Sequence, residues 1–179
     1  MPYSETSGDR IITSHQRGRV ARFRAWVLVG VPFGALIFQA YVPLFYPPLA
    51  YLDLALLVTI YFAMMRHSAI NGILVGCAMG LAQDALAHNP LGMYGISKTL
   101  VGFFAASIGV RIDVSQSFVR LLACVVFYVF HQFLFWLISR ALLEKLVAFD
   151  WRQTLILSGF NAIVGLALFH FLDKLKDKD

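Results

Sequence analysis

Long apolar runs separated by short polar connections dominate the chain from residue 25 onward. The runs cover residues 25–46, 49–65, 69–86, 93–110, 118–143 and 153–172. Each run is close to the roughly 20 residues that an α-helix needs to cross about 30 Å of hydrocarbon. The pattern therefore predicts an all-α membrane bundle of six transmembrane helices over residues 25–172. An arginine-rich tail at 1–24 and a short charged tail at 173–179 flank it.

Composition and charge placement support a membrane location and set an orientation. Of the 179 residues, 59% are hydrophobic and 14% are charged, which is too little charge to cover a soluble domain. The net charge of +5 does not indicate nucleic-acid binding, because the basic residues cluster at the ends of the runs. By the positive-inside rule both termini are expected in the cytoplasm. The residues assigned to the inner side are Arg10, Arg17, Arg19, Arg22, Arg24, Arg66, Arg111, Arg120, Lys174, Lys176 and Lys178, and those assigned to the outer side are Arg140, Lys145 and Arg152.

Small residues recur at helical spacing in the third run. Gly72, Gly76 and Gly80 form one smooth stripe along which a neighbouring backbone can approach closely. The stripe packs either against another helix of the bundle or against the helix of a partner protein. Weaker versions of the pattern are Gly30 with Gly34 in the first run and Ala105 with Gly109 in the fourth.

Charged side chains occur within the predicted spans, where they are costly unless they are paired. Asp84 and Lys98 flank the turn Pro90-Leu91-Gly92, so they are expected at similar depth on adjacent antiparallel helices. We expect them to form an ion pair, with Lys98 extending toward the interface. A site for a polar ligand or partner, or a proton-coupling role, are the alternatives. Asp53 is expected in the same layer, where it caps the second helix.

A second polar cluster lies deeper in the predicted bundle. His131 and Gln132 of the fifth run match Asn161 of the sixth in depth, which predicts an interhelical hydrogen bond, with a substrate or proton role as the alternative. His67, His88 and His170 lie at run ends and form no metal-ligand pattern. Phosphate-binding loops and catalytic motifs are absent from the sequence, so we expect no cofactor and no enzymatic activity.

The chain resembles the rod shape-determining protein MreD family over about residues 25–172, most specifically over about residues 50–107. The resemblance rests on Asp53-Leu54 at the start of the second helix, on Gly80-Leu81 with Asp84, and on the turn Pro90-Leu91-Gly92. It implies a fold similar to the substrate-binding subunits of energy-coupling-factor transporters. It also implies a non-enzymatic scaffold of the cell-elongation machinery in the bacterial inner membrane. The implied partners are the single-span protein MreC and, through it, MreB, RodA and a class B penicillin-binding protein.

Two functions from different classes follow from these features. The first is a membrane scaffold that uses the glycine stripe and the layer of Asp53, Asp84 and Lys98 to bind the transmembrane helix of a partner. The second is a small-solute binding subunit of a vitamin-type transporter, in which the same polar layer lines an outward pocket. Sequence features other than the resemblance do not decide between them.

Overall fold

A computed structural model describes residues 25–87, 90, 92–143 and 148–176. The N-terminal tail, His88, Leu91, Lys145 and Lys178 lie outside the described residues, and so do the predictions made for them. The described residues form an all-helical bundle of six α-helices and one short 3₁₀ helix. The helices are α1 (Ala25–Phe45), α2 (Leu54–Arg66), α3 (Ala69–Ala87), α4 (Met93–Gly109), α5 (Ser117–Leu143) and α6 (Trp151–Asp173), and the 3₁₀ helix Pro47–Tyr51 joins α1 to α2.

Five helical segments are long and apolar enough to cross a membrane, judged by length and composition. One of these segments, Pro47–Arg66, combines the 3₁₀ helix with α2. The remaining helix, α4, has 17 residues and is not among the five. At 1.5 Å per residue it is about 26 Å long, slightly shorter than a typical hydrocarbon core.

The central helix of the bundle is α2. It contacts all five other α-helices, and every residue from Ala55 to Met65 is buried. A helix that is apolar on all sides suits such a position. The predicted second run, 49–65, lies within the span Pro47–Arg66 but is not one helix: its first residues belong to the 3₁₀ helix that begins at Pro47, and α2 begins after Asp53, the predicted cap.

The tightest helix pair is α3 with α4, and the glycine stripe lies inside it. A Cβ atom added to Gly72, Gly76 or Gly80 would lie within 3.0 Å of the backbone of α4, at Gly102, Lys98 and Tyr94 respectively. These glycines therefore permit the two backbones to touch. Because α4 fills the stripe, the stripe is not open to a partner helix, and the interpretation as a docking groove was wrong.

The two ends of the bundle differ in chemistry. At one end, which we call the capped end, α2, α4 and α6 begin; the side chains of Asp53, Asp84 and Asp150 accept hydrogen bonds from backbone N–H groups of their first turns. At the opposite end, the basic end, lie Arg66, Arg111, Arg120, Lys174 and Lys176. The direction of every helix is thereby consistent with the segregation of charge found in the sequence.

Candidate functional site

Lys98 pairs with Asp53 and not with Asp84. The Lys98 Nζ lies 2.6 Å from Asp53 Oδ1 and 2.7 Å from Asp53 Oδ2, and the Lys98 side chain is fully buried. The predicted pair between Asp84 and Lys98 was wrong, and so was the expectation that Lys98 extends toward the interface. Both predictions failed because the Lys98 side chain points from α4 toward the start of α2, where the Asp53 carboxylate is held as the cap of that helix.

Asp84 instead caps the helix that follows it. Its carboxylate accepts hydrogen bonds from the backbone N–H groups of Gly92, Tyr94 and Gly95, at 2.9, 3.0 and 3.1 Å. Gly92 has a positive φ of 104°, a conformation that glycine adopts without strain and that closes the turn. Asp84 is fully buried, and these three donors replace the water that its charge would otherwise require. The turn of Pro90 and Gly92 thus brings α4's amino end onto the end of α3.

The start of α2 is held from three directions. The Asp53 carboxylate accepts from Leu56 N at 2.9 Å, so Asp53 is the predicted cap of α2. Gln39 Oε1 of α1 accepts from Ala55 N at 3.1 Å, and Asn161 Oδ1 of α6 accepts from Asp53 N at 2.9 Å. These bonds satisfy backbone donors that have no partner within the helix, which matters in an environment without water.

The three residues of the deeper polar cluster do not bond to one another. Asn161 makes interhelical bonds, but to the start of α2: its Nδ2 also donates to Tyr51 O at 2.9 Å. Gln132 Nε2 donates to the Tyr128 hydroxyl of its own helix at 3.3 Å. His131 is buried with neither ring nitrogen hydrogen-bonded, so the predicted interhelical bond of His131 was wrong.

A cavity of about 540 Å³, here called the aromatic cavity, opens at the capped end. It lies among the end of α1, the starts of α2, α4 and α6, and the second half of α5. Its walls are rich in aromatic rings: Tyr51, Tyr94, Tyr128, Phe135, Trp136 and Phe149. Asp53 and His131 also border it, whereas Asp84 and Lys98 do not. The polar layer therefore reaches the cavity through the Asp53 carboxylate, and the deeper polar cluster reaches it through His131.

His131 belongs to a stack of flat rings on one wall of the cavity. The His131 and Tyr94 rings are 5.8 Å apart between centroids, with planes within 4° of parallel, and Phe135 stacks on Tyr94 at 4.7 Å. Lys98 Nζ lies 5.6 Å from the centroid of the Tyr94 ring. The stack therefore connects the buried ion pair to the cavity wall.

A second ion-pair cluster lies at the basic end and was not predicted from the sequence. Asp173 accepts from the Tyr61 hydroxyl at 2.9 Å and pairs with Arg120 and Lys176. Arg120 also donates to Val114 O at 2.6 Å, which fastens the connection before α5. The only signal in the sequence was an acidic residue beside lysines in the C-terminal segment, which reads equally well as a solvated tail.

A metal centre requires several His, Cys, Asp or Glu side chains close together. Within the ranges that the structure describes, no group of three or more His, Cys, Asp or Glu side chains is arranged to hold a metal ion. Both described acidic residues of the polar layer are engaged, one in an ion pair and one in capping.

Comparison with known proteins identifies the family. The profile described as rod shape-determining protein MreD matches residues 21–175. No curated protein and no solved structure matches the chain, so the expected likeness to substrate-binding subunits of energy-coupling-factor transporters stays a prediction. Because the match covers nearly the whole chain and several helices can cross a bilayer, this multi-pass membrane protein belongs to the MreD family of rod shape-determining proteins.

Proposed function

We propose that this protein is a non-enzymatic scaffold of the cell-elongation complex in the bacterial inner membrane, and that it binds the transmembrane helix of an MreC-like protein. Through that partner it would connect to MreB, RodA and a class B penicillin-binding protein and help to control peptidoglycan synthesis. Family membership supports a role in rod shape determination. The more specific partner and the control of synthesis are the proposal.

The observation that carries the proposal is that the charged side chains of the polar layer bind partners inside the chain, which leaves an apolar outer surface. Asp53, Lys98 and Asp84 are engaged inside the chain, and the connections between helices are only a few residues long. The outward surface of the bundle is correspondingly apolar, with large exposed side chains on every helix except α2. A partner recognised by the helical body must therefore contact lipid-facing helix surfaces, which suits a single-span helix.

Among these surfaces, α1 has two open glycines at helical spacing, Gly30 and Gly34, whereas α6 has one, Gly159. No atom lies within 4 Å of a Cβ placed at Gly30 or Gly34, and the neighbouring Phe33 is 64% exposed. Unlike the stripe on α3, these glycines have no described residue of another helix packed against them. We therefore place the partner helix against α1.

We further propose that all six helices cross the membrane with both termini in the cytoplasm. This places the basic end at the cytoplasmic surface and the capped end, with the aromatic cavity, at the outer surface. The charge segregation supports this orientation, because basic residues are retained on the cytoplasmic side. The short α4 completes its crossing with the help of the turn that Asp84 holds.

Site-specific photocrosslinking tests the scaffold function. A photoreactive amino acid is introduced at one lipid-facing position in each outer helix, in cells that also express the MreC-like partner. We expect a crosslink to the partner from α1 and from at most one adjacent helix, and none from a buried control position on α2. Absence of a crosslink from every position would contradict the proposal. The positions are Phe33, Leu74, Phe104, Val126 and Ile163, with Leu57 as the buried control.

A further inference from the structure

The aromatic cavity contains a buried side chain that the fold itself leaves unsatisfied. His131 is 1% exposed and borders the cavity, and neither Nδ1 nor Nε2 has a hydrogen-bond partner. A buried polar group without a partner costs free energy. Within the described residues the ring nitrogens accept and donate no hydrogen bond, although the ring borders a cavity, so a molecule that enters the cavity can supply both bonds.

The cavity has the size and wall chemistry of a small-molecule site. Its volume of about 540 Å³ lies in the range of roughly 300–1,000 Å³ typical of ligand pockets. The stack of Tyr94, His131 and Phe135 provides a flat aromatic wall. Three carboxamides, from Gln39, Gln132 and Gln153, border the same space and offer both donors and acceptors.

The charges exclude one class of ligand. The charged side chains that border the cavity are Asp53 and Asp150, both acidic, and among the described residues no lysine or arginine borders it. The helix N-termini at this end, which otherwise attract anions, already receive the carboxylates of Asp53, Asp84 and Asp150. Lys98, a buried cation close to the Tyr94 ring, is neutralised by Asp53. Arg140 lies 5.6 Å from the centroid of the Trp136 ring but does not itself border the cavity. An anion in the cavity would therefore meet two carboxylates and no bordering cation among the described residues.

We propose that the aromatic cavity binds a small, planar, non-anionic nitrogen heterocycle, which stacks against the aromatic wall and hydrogen-bonds to His131. A neutral imidazole offers one donor and one acceptor, and the edge of such a heterocycle offers the complementary pair. The ligand would link α4 and α5 at the capped end. The inference is independent of the scaffold proposal, since it concerns the interior of the bundle and not its lipid-facing surface.

Thermal unfolding of the purified full chain in lipid nanodiscs tests the site. The probes are nicotinamide, cytosine, adenine and thiamine, with nicotinate and orotate as matched anionic controls. We expect at least one of the four non-anionic probes to raise Tm by about 3–6 °C at a concentration tenfold above its Kd. No shift with any of the four would overturn the proposal, and so would equal or stronger binding of the anionic controls.

One variant and a matched control test whether His131 binds the ligand. His131→Phe keeps an aromatic ring in the stack but removes both nitrogens, so the ligand-induced shift should disappear while the Tm without ligand stays the same or rises. His170→Phe, at an exposed position at the opposite end of α6, is the control and should keep the full shift. If His131→Phe retained the shift, the role of the imidazole would be refuted. Because the unliganded Tm is measured in the same experiment, a folding defect is distinguished from lost binding.

Discussion

At the residue scale, the membrane body tolerates its charges because each has partners within the chain. Lys98 is neutralised by the carboxylate of Asp53, which in turn is fixed as the cap of α2. Asp84 has three backbone donors. Removing one member of a buried pair leaves the other charge uncompensated, which costs more than the pair contributes to stability.

The Asp53–Lys98 pair is expected to show strong coupling in a double-mutant cycle. Asp53→Asn keeps a capping oxygen and Lys98→Met keeps the side-chain length, so each removes mainly a charge. We expect each single change to lower the free energy of unfolding by about 3–5 kcal/mol and the double change to cost clearly less than their sum. Unfolding in mixed micelles, followed by circular dichroism, measures this. Additive effects would show that the two charges do not interact.

Asp84 is expected to behave differently, because its role is capping. Asp84→Leu should lower the free energy of unfolding by at least about 2 kcal/mol, since three backbone N–H groups lose their acceptor. Asp84→Asn should cost less because one acceptor oxygen remains. Lys98→Leu should not rescue Asp84→Leu in the same unfolding assay. Rescue would instead support the ion pair between Asp84 and Lys98 that the sequence predicted.

At the element scale, the close contact of α3 and α4 depends on the absence of side chains at the glycine stripe. Gly76→Leu would drive a side chain into the backbone of α4 at Lys98, and that backbone cannot move without displacing the Asp53–Lys98 pair. We expect a loss of about 3 kcal/mol or more, or a failure to accumulate folded protein.

The chain contains a matched control for that change. Gly34→Leu introduces the same side chain into another helix at a position with no atom within 4 Å, so folding should be nearly unaffected. Size-exclusion chromatography and micellar unfolding of the two variants measure the contrast. Equal losses from both would show that leucine is poorly tolerated in these helices generally, and would remove the argument from backbone contact.

The helices themselves were predictable from sequence, whereas their side-chain partners were not. Apolar runs and flanking basic or turn residues placed five helices within one or two residues of their observed ends, from α1 through α6 with the exception of α2. For α2, apolar residues after Pro48 concealed a 3₁₀ turn. The partner of Lys98 lies 45 positions away, and only the packing of α4 against α2 reveals that its side chain faces Asp53. Likewise, a sequence cannot show that His131 is left without a hydrogen bond.

At the scale of the whole molecule, the bundle separates two chemistries along its axis. The basic end carries the Asp173 cluster and most described cationic residues, and the capped end carries three aspartates and the aromatic cavity. If the proposed orientation holds, the cavity opens toward the outer leaflet and the Asp173 cluster lies at the cytoplasmic surface. We expect a partner helix to bind along the side of the bundle, because α2 is buried at the centre and the other helices carry the exposed apolar side chains.

Six crossings with the capped end outside are tested most directly by cysteine labelling of intact cells with a membrane-impermeant maleimide. Cys77 and Cys124 are first replaced by alanine, and single cysteines are placed in the connections, at Ser68, Pro90, Ser115 and Ala148. We expect labelling from outside at positions 90 and 148, and labelling at 68 and 115 only after the membrane is permeabilised. Positions 90 and 115 labelled from the same side would show that α4 does not cross, and labelling of 68 or 115 from outside would contradict the orientation.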